Sequence, residues 1–293
     1  MTPTRVVGFI APEIRSDFYA SVAGTLAAAF AAEGFQLIVA VSDDEPDEEA
    51  LRVEALVAAG VAGVILTPTS GLSQATADRL GPIPVVQLVR SNPLLDKPWV
   101  GIDDRVGVEV ATRHLLEMGH RRIGFIGGHE ALTTGRERRG GYAGALAAEG
   151  VDYDEALVML GPPRSSFGLE AASRLTQLET PITGLVLGSS QLTLGALTAL
   201  QKRGVNPPTD LSVVGYSDPE WFRIWGPGLT TMALPVEDIA ASAAQVLLRA
   251  IDDPAGPAAP PARGGLFFQP QLVERGSVAP IGPYRRVDPG LFG

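Results

Sequence analysis

The chain has no cysteine in 293 residues. Disulfides and thiolate metal sites are therefore excluded. Histidine is almost as scarce. His114, His120 and His129 lack metal-ligand spacing, and the first two flank a predicted helix end beside Arg121 and Arg122, where polar residues are expected. No apolar run approaches the roughly 18 residues that span a bilayer. The opening Met1-Thr2-Pro3-Thr4-Arg5 runs straight into a short apolar strand, without the regions of a secretory signal. These absences predict a cytoplasmic protein with no membrane partner.

Catalytic and cofactor signatures are missing too. Gly8 at the first strand is followed by Phe9-Ile10-Ala11-Pro12, not by a Gly-x-Gly-x-x-Gly turn. Neither a P-loop nor a Gly-x-Ser-x-Gly elbow occurs. No cofactor, no metal and no enzymatic activity are expected. Basic charge is also in short supply, with a formal net charge of −10. Nucleic-acid affinity comes mainly from Lys and Arg at phosphates, and the cluster Arg136, Arg138, Arg139 is too small to supply it. The acidic run from Asp43 to Glu49 reads as a solvated helix N-terminus, where carboxylates complement the helix dipole.

What is present is an echo. Val7-Gly8-Phe9-Ile10 returns as Ile123-Gly124-Phe125-Ile126, and Ala29-Phe30-Ala31-Ala32-Glu33-Gly34 returns at the same offset as Ala145-Leu146-Ala147-Ala148-Glu149-Gly150. The spacing is far too long for a solenoid and fits two similar lobes, each with its own core. Clefts between such lobes are where small ligands bind.

Short β-rich runs at 5–11, 35–41, 61–67, 83–89, 121–127, 155–160, 182–188 and 211–216 alternate with helical stretches at 17–33, 46–59, 71–80, 105–118, 137–149, 166–178, 190–203 and 236–252. Gly34, Gly60, Gly119, Gly150 and Gly204 read as helix stops. Such alternation implies parallel sheets with right-handed crossovers. The expected fold is α/β, two similar doubly wound parallel-sheet lobes joined by three hinge crossovers near 102, 230 and 262. The first lobe takes 5–102 plus 231–258 and the second 103–230 plus 259–278, with one last strand near 266–273. A Pro/Gly-rich tail at 279–293 is expected to be loosely held.

In open α/β sheets ligands sit beyond the strands' C-terminal ends. Those loops carry Ser16, Asp17, Phe18, Tyr19, Thr67, Ser70 and Arg90 in the first lobe. In the second they carry Thr133, Thr134, Arg136, Arg138, Ser189, Ser190, Gln191, Ser217, Asp218 and Trp221. Hydroxyls, a few charges and flat aromatics suit polar neutral ligands such as sugars.

The stretch from His114 to Gly128, HLLEMGHRRIGFIGG, resembles the LacI/GalR family of bacterial transcription regulators. So do Arg138-Arg139-Gly140-Gly141-Tyr142, Asp210 to Tyr216, Leu229-Thr230-Thr231 and Leu272 to Ser277. The resemblance runs from about Arg5 to Ser277. It implies a type I periplasmic-binding-protein-like sensor domain, a homodimer, and a small-molecule effector, usually a sugar or nucleobase. It also implies a helix-turn-helix headpiece. Residue 5 already begins the sensor's first strand, so operator DNA is assigned to a headpiece outside this chain.

The family pattern carries over unevenly. Phe18 and Tyr19 match the aromatic pair of its Asn-Pro-Phe-Phe, with Ser16 and Asp17 in place of Asn-Pro. Arg138 matches its effector-contacting arginine, and Thr134 lies on the same loop. Its Asn-Asp becomes Ser189-Ser190, and its Gly-Phe-Asp-Asp becomes Gly215-Tyr216-Ser217-Asp218. The loop that often supplies a stacking aromatic reads Gly161-Pro162-Pro163-Arg164, which leaves Phe167, Trp221 or Trp225 as replacements. The expected ligand set is Phe18, Tyr19, Thr134, Arg138, Ser189, Ser217, Asp218 and Trp221. An exported solute-binding protein of a sugar transport system is the alternative reading.

Overall fold

The computed structural model describes residues 5–253 and 265–281. The first sheet contains β1 (Val6–Ala11), β2 (Gln36–Val41), β3 (Gly63–Leu66), β4 (Val85–Val89), β5 (Trp99–Ile102) and β11 (Leu266–Phe268). The second contains β6 (Ile123–Gly128), β7 (Val158–Gly161), β8 (Gly184–Leu187), β9 (Ser212–Tyr216), β10 (Thr230–Ala233) and β12 (Gln271–Val273). Their orders are β11-β5-β4-β3-β1-β2 and β12-β10-β9-β8-β6-β7, so the sequence echo is an echo of topology. All pairs are parallel except β10 with β12.

Each sheet is covered on both faces, which is why its strands are apolar without alternation. In β1, Val7, Phe9 and Ala11 face one way, towards α1 (Asp17–Ala32) and α9 (Val236–Asp252). Ile10 faces α2 (Pro46–Ala58) and α3 (Gln74–Leu80). In the second lobe, Phe125, Val186 and Tyr216 face α4 (Asp104–Glu117) and α5 (Thr133–Ala148). Ile126, Leu185 and Leu187 face α6 (Ser165–Leu175) and α7 (Ser190–Lys202), where the short α8 (Glu220–Ile224) adds Phe222. α4 follows the first lobe's β5 and α9 follows the second lobe's β10, so each lobe is completed by a helix entered from the other. Gly34 and Gly150, at matching places in the two halves, end α1 and α5 with left-handed φ of 77° and 65°.

The crossovers sit later than expected. Residues 231–233, assigned above to the first lobe, pair with β9 and β12 in the second sheet. The passage to the first lobe comes after them, at 234–235. Residues 266–268, assigned to the second lobe, pair with β5 in the first sheet. The single strand near 266–273 is two strands in different sheets, interrupted at Gln269-Pro270. Pro270 has no N–H to give a ladder, and there the chain passes back. The 258/259 boundary, position 262 and residues 282–293 of the tail lie outside the described residues.

Residues 279–281 lie against the second lobe. His120 Nε2 is 3.1 Å from the Ala279 carbonyl, which can only accept, so Nε2 carries the proton. Nδ1 then accepts from the Thr183 hydroxyl at 3.0 Å. Burial holds His120 below its ordinary value of 6.5. In the window below 6.5 the unfolded chain therefore binds a proton that the native ring resists, and stability falls as pH falls. Between pH 7.5 and 5.5, His120→Gln is expected to lose less stability than the wild type in urea titrations. Equal losses would rule out this residue as a source of acid sensitivity.

Candidate ligand-binding site

The C-terminal ends of both sheets face one cleft, a cavity of about 540 Å³. Phe18, Tyr19, Thr134, Arg138, Ser189 and Ser217 all line it. Ile102 and Leu234, beside the first two crossovers, line it as well. Lobe movement about those crossovers would change the shape of the cavity.

Asp218 and Trp221 are not brought there. Asp218 takes a two-pronged ion pair from Arg275, both contacts at 2.8 Å, with Arg223 at 3.5 Å. Trp221 lies edge-on to Phe222, ring centres 4.4 Å apart, and packs on the α6/α7 face of the sheet. Phe167 and Trp225 pack on that same core. The wall where a stacking aromatic was sought is formed by Pro163, Arg164, Ser165 and Ser166. A core position already gives these rings most of what burial offers an aromatic.

Arg138 is the most constrained side chain of the cleft. Its Nε donates to Asp104 Oδ1 at 2.8 Å, and one terminal nitrogen donates to the Gly188 carbonyl. Its guanidinium lies over the Tyr216 ring, 4.3 Å from the centre, and the Tyr216 hydroxyl donates to the same Asp104 oxygen at 2.6 Å. The side chains of Arg138 and Asp104 are only 13% and 4% exposed. Burial works against the guanidinium charge, but Asp104, with Tyr216 and Tyr19, more than offsets it and holds Arg138 above its ordinary value. Burial pushes the Asp104 carboxyl up against the opposing pull of Arg138 and Tyr216. Burial, then Asp104, keeps the Tyr216 phenol well above 10, so it stays a donor.

The first lobe contributes a second, partly buried ion pair, Arg90 to Asp44 at 2.5 Å. Val89, just before that arginine, has φ of 64°, and the Arg90 N–H donates back to the Leu88 carbonyl at 2.6 Å. This is a tight γ-turn in a conformation that a β-branched residue rarely adopts. Ser217, at the end of the corresponding strand β9, has φ of 80°. Both lobes thus bend sharply at matching strand ends on the cleft, and strain of this kind concentrates where ligands are gripped.

Three hydroxyls complete the polar lining. Thr134, Ser190 and Ser217 are 6%, 7% and 7% exposed, and their side chains make no hydrogen bond among the described residues. Their oxygens open onto the cavity, where a polar group can reach them. Ser189 is partly spent, because its hydroxyl accepts from the Leu192 N–H and caps α7. Phe18 and Tyr19 stand edge to face at 5.1 Å on the first turn of α1 and supply the apolar wall.

Sequence reasoning missed Asp43, Asp44, Arg164 and Tyr216 as lining residues. The acidic run does hold a helix start, but α2 begins only at Pro46, with Asp47, Glu48 and Glu49 in its first turn. Asp43 and Asp44 precede it with left-handed φ of 52° and 63°. Across the cleft, Arg164 of the second lobe donates to the Asp43 carbonyl at 2.7 Å. The donor is charged, but the contact is exposed to solvent, so it contributes about 0.5–1.5 kcal/mol. Arg164→Ala is therefore expected to favour lobe opening by up to about tenfold, seen as a larger radius of gyration in X-ray scattering. An unchanged radius would mean that this contact does not hold the lobes together. Among the described residues no cluster of three or more His, Asp or Glu is placed to hold a metal ion, and no helix is long and apolar enough to cross a membrane.

Comparison with known proteins agrees with this geometry. A family model described as a periplasmic binding protein-like domain matches residues 112–278. An uncharacterized helix-turn-helix-type transcriptional regulator of Streptomyces limosus is 34% identical, over 94% of this chain and 79% of its own length. The crystal structure of a LacI family transcription repressor of Corynebacterium glutamicum superposes with a TM-score of 0.81 at 27% identity, covering 93% of this chain and 98% of the other. A LacI family regulator of Enterococcus faecium, solved with bound ribose, shares the fold with a TM-score of 0.81 at 22% identity, covering 94% of this chain and all of the other. The chain belongs to the LacI/GalR family of transcription regulators, and what it spans is their periplasmic-binding-protein-like effector-binding domain.

Proposed function

We propose that the chain senses a sugar or a related polar metabolite in the cytoplasm, closes its lobes on it, and works as a homodimer that controls a DNA-binding headpiece. The observation that carries the sensing role is a trio of hydroxyls without a partner among the described residues, opening into an interlobe cleft walled by two aromatics. A hydroxyl-rich ring satisfies those groups while its apolar faces meet Phe18 and Tyr19. The solved neighbour that holds ribose has the same fold. The buried arginines of the cleft, Arg90 and Arg138, are tied into ion pairs with Asp44 and Asp104, which favours binding over catalysis. The regulator relatives set aside the transport-protein alternative.

Closure follows ligand only if the ligand prefers the closed form. A thermal-shift screen of sugars, sugar phosphates and nucleobases tests the reading. A compound at 100 times its Kd adds about 2.7 kcal/mol of stability. No shift with any sugar would overturn the sugar assignment.

The dimer reading rests on α1 and its neighbour β2. Asp17 is the only charged residue of α1, and Ala20, Gly24, Ala27, Ala28 and Ala31 are exposed beside Ile38 and Val39 of the edge strand. A helix apolar on all sides is normally covered on all sides, and a second copy meeting it about a twofold axis would cover it. Light scattering is expected to give the mass of two chains for the wild type and of one for Ala27→Arg. A monomeric wild type at tens of micromolar would overturn this part.

A further inference from the structure

The arginines that reach the buried part of the cleft are already answered by acids of the same chain. Arg90 meets Asp44 and Arg138 meets Asp104. Arg164 gives its N–H to the Asp43 carbonyl, with the Glu45 carboxylate 4.0 Å away. Arg15 also lines the cavity but is solvent-exposed. In the buried part of the cleft, what remains unpartnered is uncharged, namely the hydroxyls described above. An anionic ligand that entered the buried part would lose its hydration and find no free positive charge there to replace it, which burial penalises heavily. A neutral polyhydroxyl ligand fills the same hydrogen bonds without that cost.

The Arg90–Asp44 pair is held from both sides by unusual backbone. Two successive left-handed residues turn Asp44 towards the arginine, and the γ-turn at Val89 carries Arg90 to meet it. The two side chains are 7% and 22% exposed, so their charges cancel inside the protein wall and not in solvent. Asp104 also serves Tyr216 and the start of α4, so its removal would dismantle a wall. Asp44 sits on a loop, and its carboxylate answers Arg90 alone among the described residues.

We propose that the cleft selects uncharged polyhydroxyl effectors over their phosphorylated or carboxylated forms, with Asp44 as the specificity-determining residue that keeps the charge of Arg90 from the ligand. This rests on the effector-binding reading above.

Titration calorimetry on the chain tests it, with neutral mono- and disaccharides, their monophosphates and uronic acids, and inorganic phosphate alone. The wild type is expected to bind at least one neutral sugar, to bind its charged form at least tenfold more weakly, and to ignore phosphate. Asp44→Asn is expected to erase that preference and to gain phosphate binding. Asn tolerates the left-handed backbone as Asp does, and Asp44→Gly carries the same test if Asp44→Asn fails to fold. Asp47→Asn, the same charge change in the exposed first turn of α2, is expected to match the wild type. Adding Arg90→Gln to Asp44→Asn is expected to abolish the gained phosphate binding. A wild type that binds the charged form as tightly overturns the selectivity and leaves the effector reading standing. An unchanged preference in folded Asp44→Asn or Asp44→Gly overturns the assignment to Asp44. Binding of no compound at all overturns both this proposal and the reading beneath it.

Discussion

Replacing Arg138 with alanine is expected to lower the free energy of unfolding by about 3–5 kcal/mol, the cost of stranding one partner of a buried ion pair. Asp104 is nearly inaccessible, and without the guanidinium it keeps only the Tyr216 hydroxyl as donor. The Gly188 carbonyl and the face of the Tyr216 ring lose their partner in the same step. The family resemblance alone marked Arg138 as a ligand contact, for which a loss of affinity of about 1.5–3 kcal/mol would follow. The structure makes it first a keystone, joining the start of α4, the middle of α5 and the ends of β8 and β9. Urea denaturation of Arg138→Ala, Asp104→Asn and the double variant separates the roles. The double variant is expected to be more stable than the sum of the two losses predicts, because neither partner is then left charged and alone. Arg138→Lys keeps the charge but loses the fork that serves Asp104 and Gly188 together, so it should fall between. An unchanged denaturation midpoint in Arg138→Ala would refute the keystone role and return Arg138 to the ligand alone.

The same contrast runs through the whole chain. Features set by local pattern were legible. The apolar runs, the glycine stops and the repeated Val-Gly-Phe-Ile and Ala-Ala-Glu-Gly segments place the strands, the helices and the twofold plan. The strands that went unread, β5 and β10, are four residues each and sit next to crossovers, where little local signal separates a strand from a link. Site residues at strand ends were legible for the same reason that sheet topology was, and Thr134, Arg138 and Ser217 lie on the cleft. Which of two neighbours faces the cleft was not legible. Ser217 and Asp218 are adjacent, but a left-handed φ at Ser217 and the reach of Arg275, 57 residues further on, turn Asp218 away. Asp43 and Asp44 passed for helix-start carboxylates because their partners, Arg164 and Arg90, come from another lobe and another strand. Long-range pairing of this kind leaves no mark on spacing or composition.

Gly195→Ala is expected to cost about 3 kcal/mol, the upper end for overpacking, although alanine is intrinsically the better helix former by about 1 kcal/mol. Gly195 lies in α7 where that helix crosses α6, and an added Cβ would stand 1.9 Å from the Ser165 carbonyl oxygen and 2.6 Å from the Leu169 nitrogen. Gly168 of α6 meets α7 in the same way, its Cβ position 2.3 Å from the Leu192 carbonyl oxygen. Both obstacles are backbone, so no side-chain rotation relieves them and the two helices must move apart. Their N-terminal turns carry Ser165, Ser166, Ser190 and Gln191 into the cleft. The contact at Gly195 therefore sets the spacing of cleft-lining groups as well as the packing of the second lobe, and effector affinity is expected to fall together with stability. Gly144 supplies the control. It is an exposed helical glycine in α5 with nothing within 4 Å of its Cβ position, and Gly144→Ala is expected to gain about 0.4–1 kcal/mol. Denaturant midpoints for the two variants should move in opposite directions. Midpoints that moved together would show that helix propensity, and not backbone approach, decides the outcome, and the glycines would then lose their place in the geometry of the cleft.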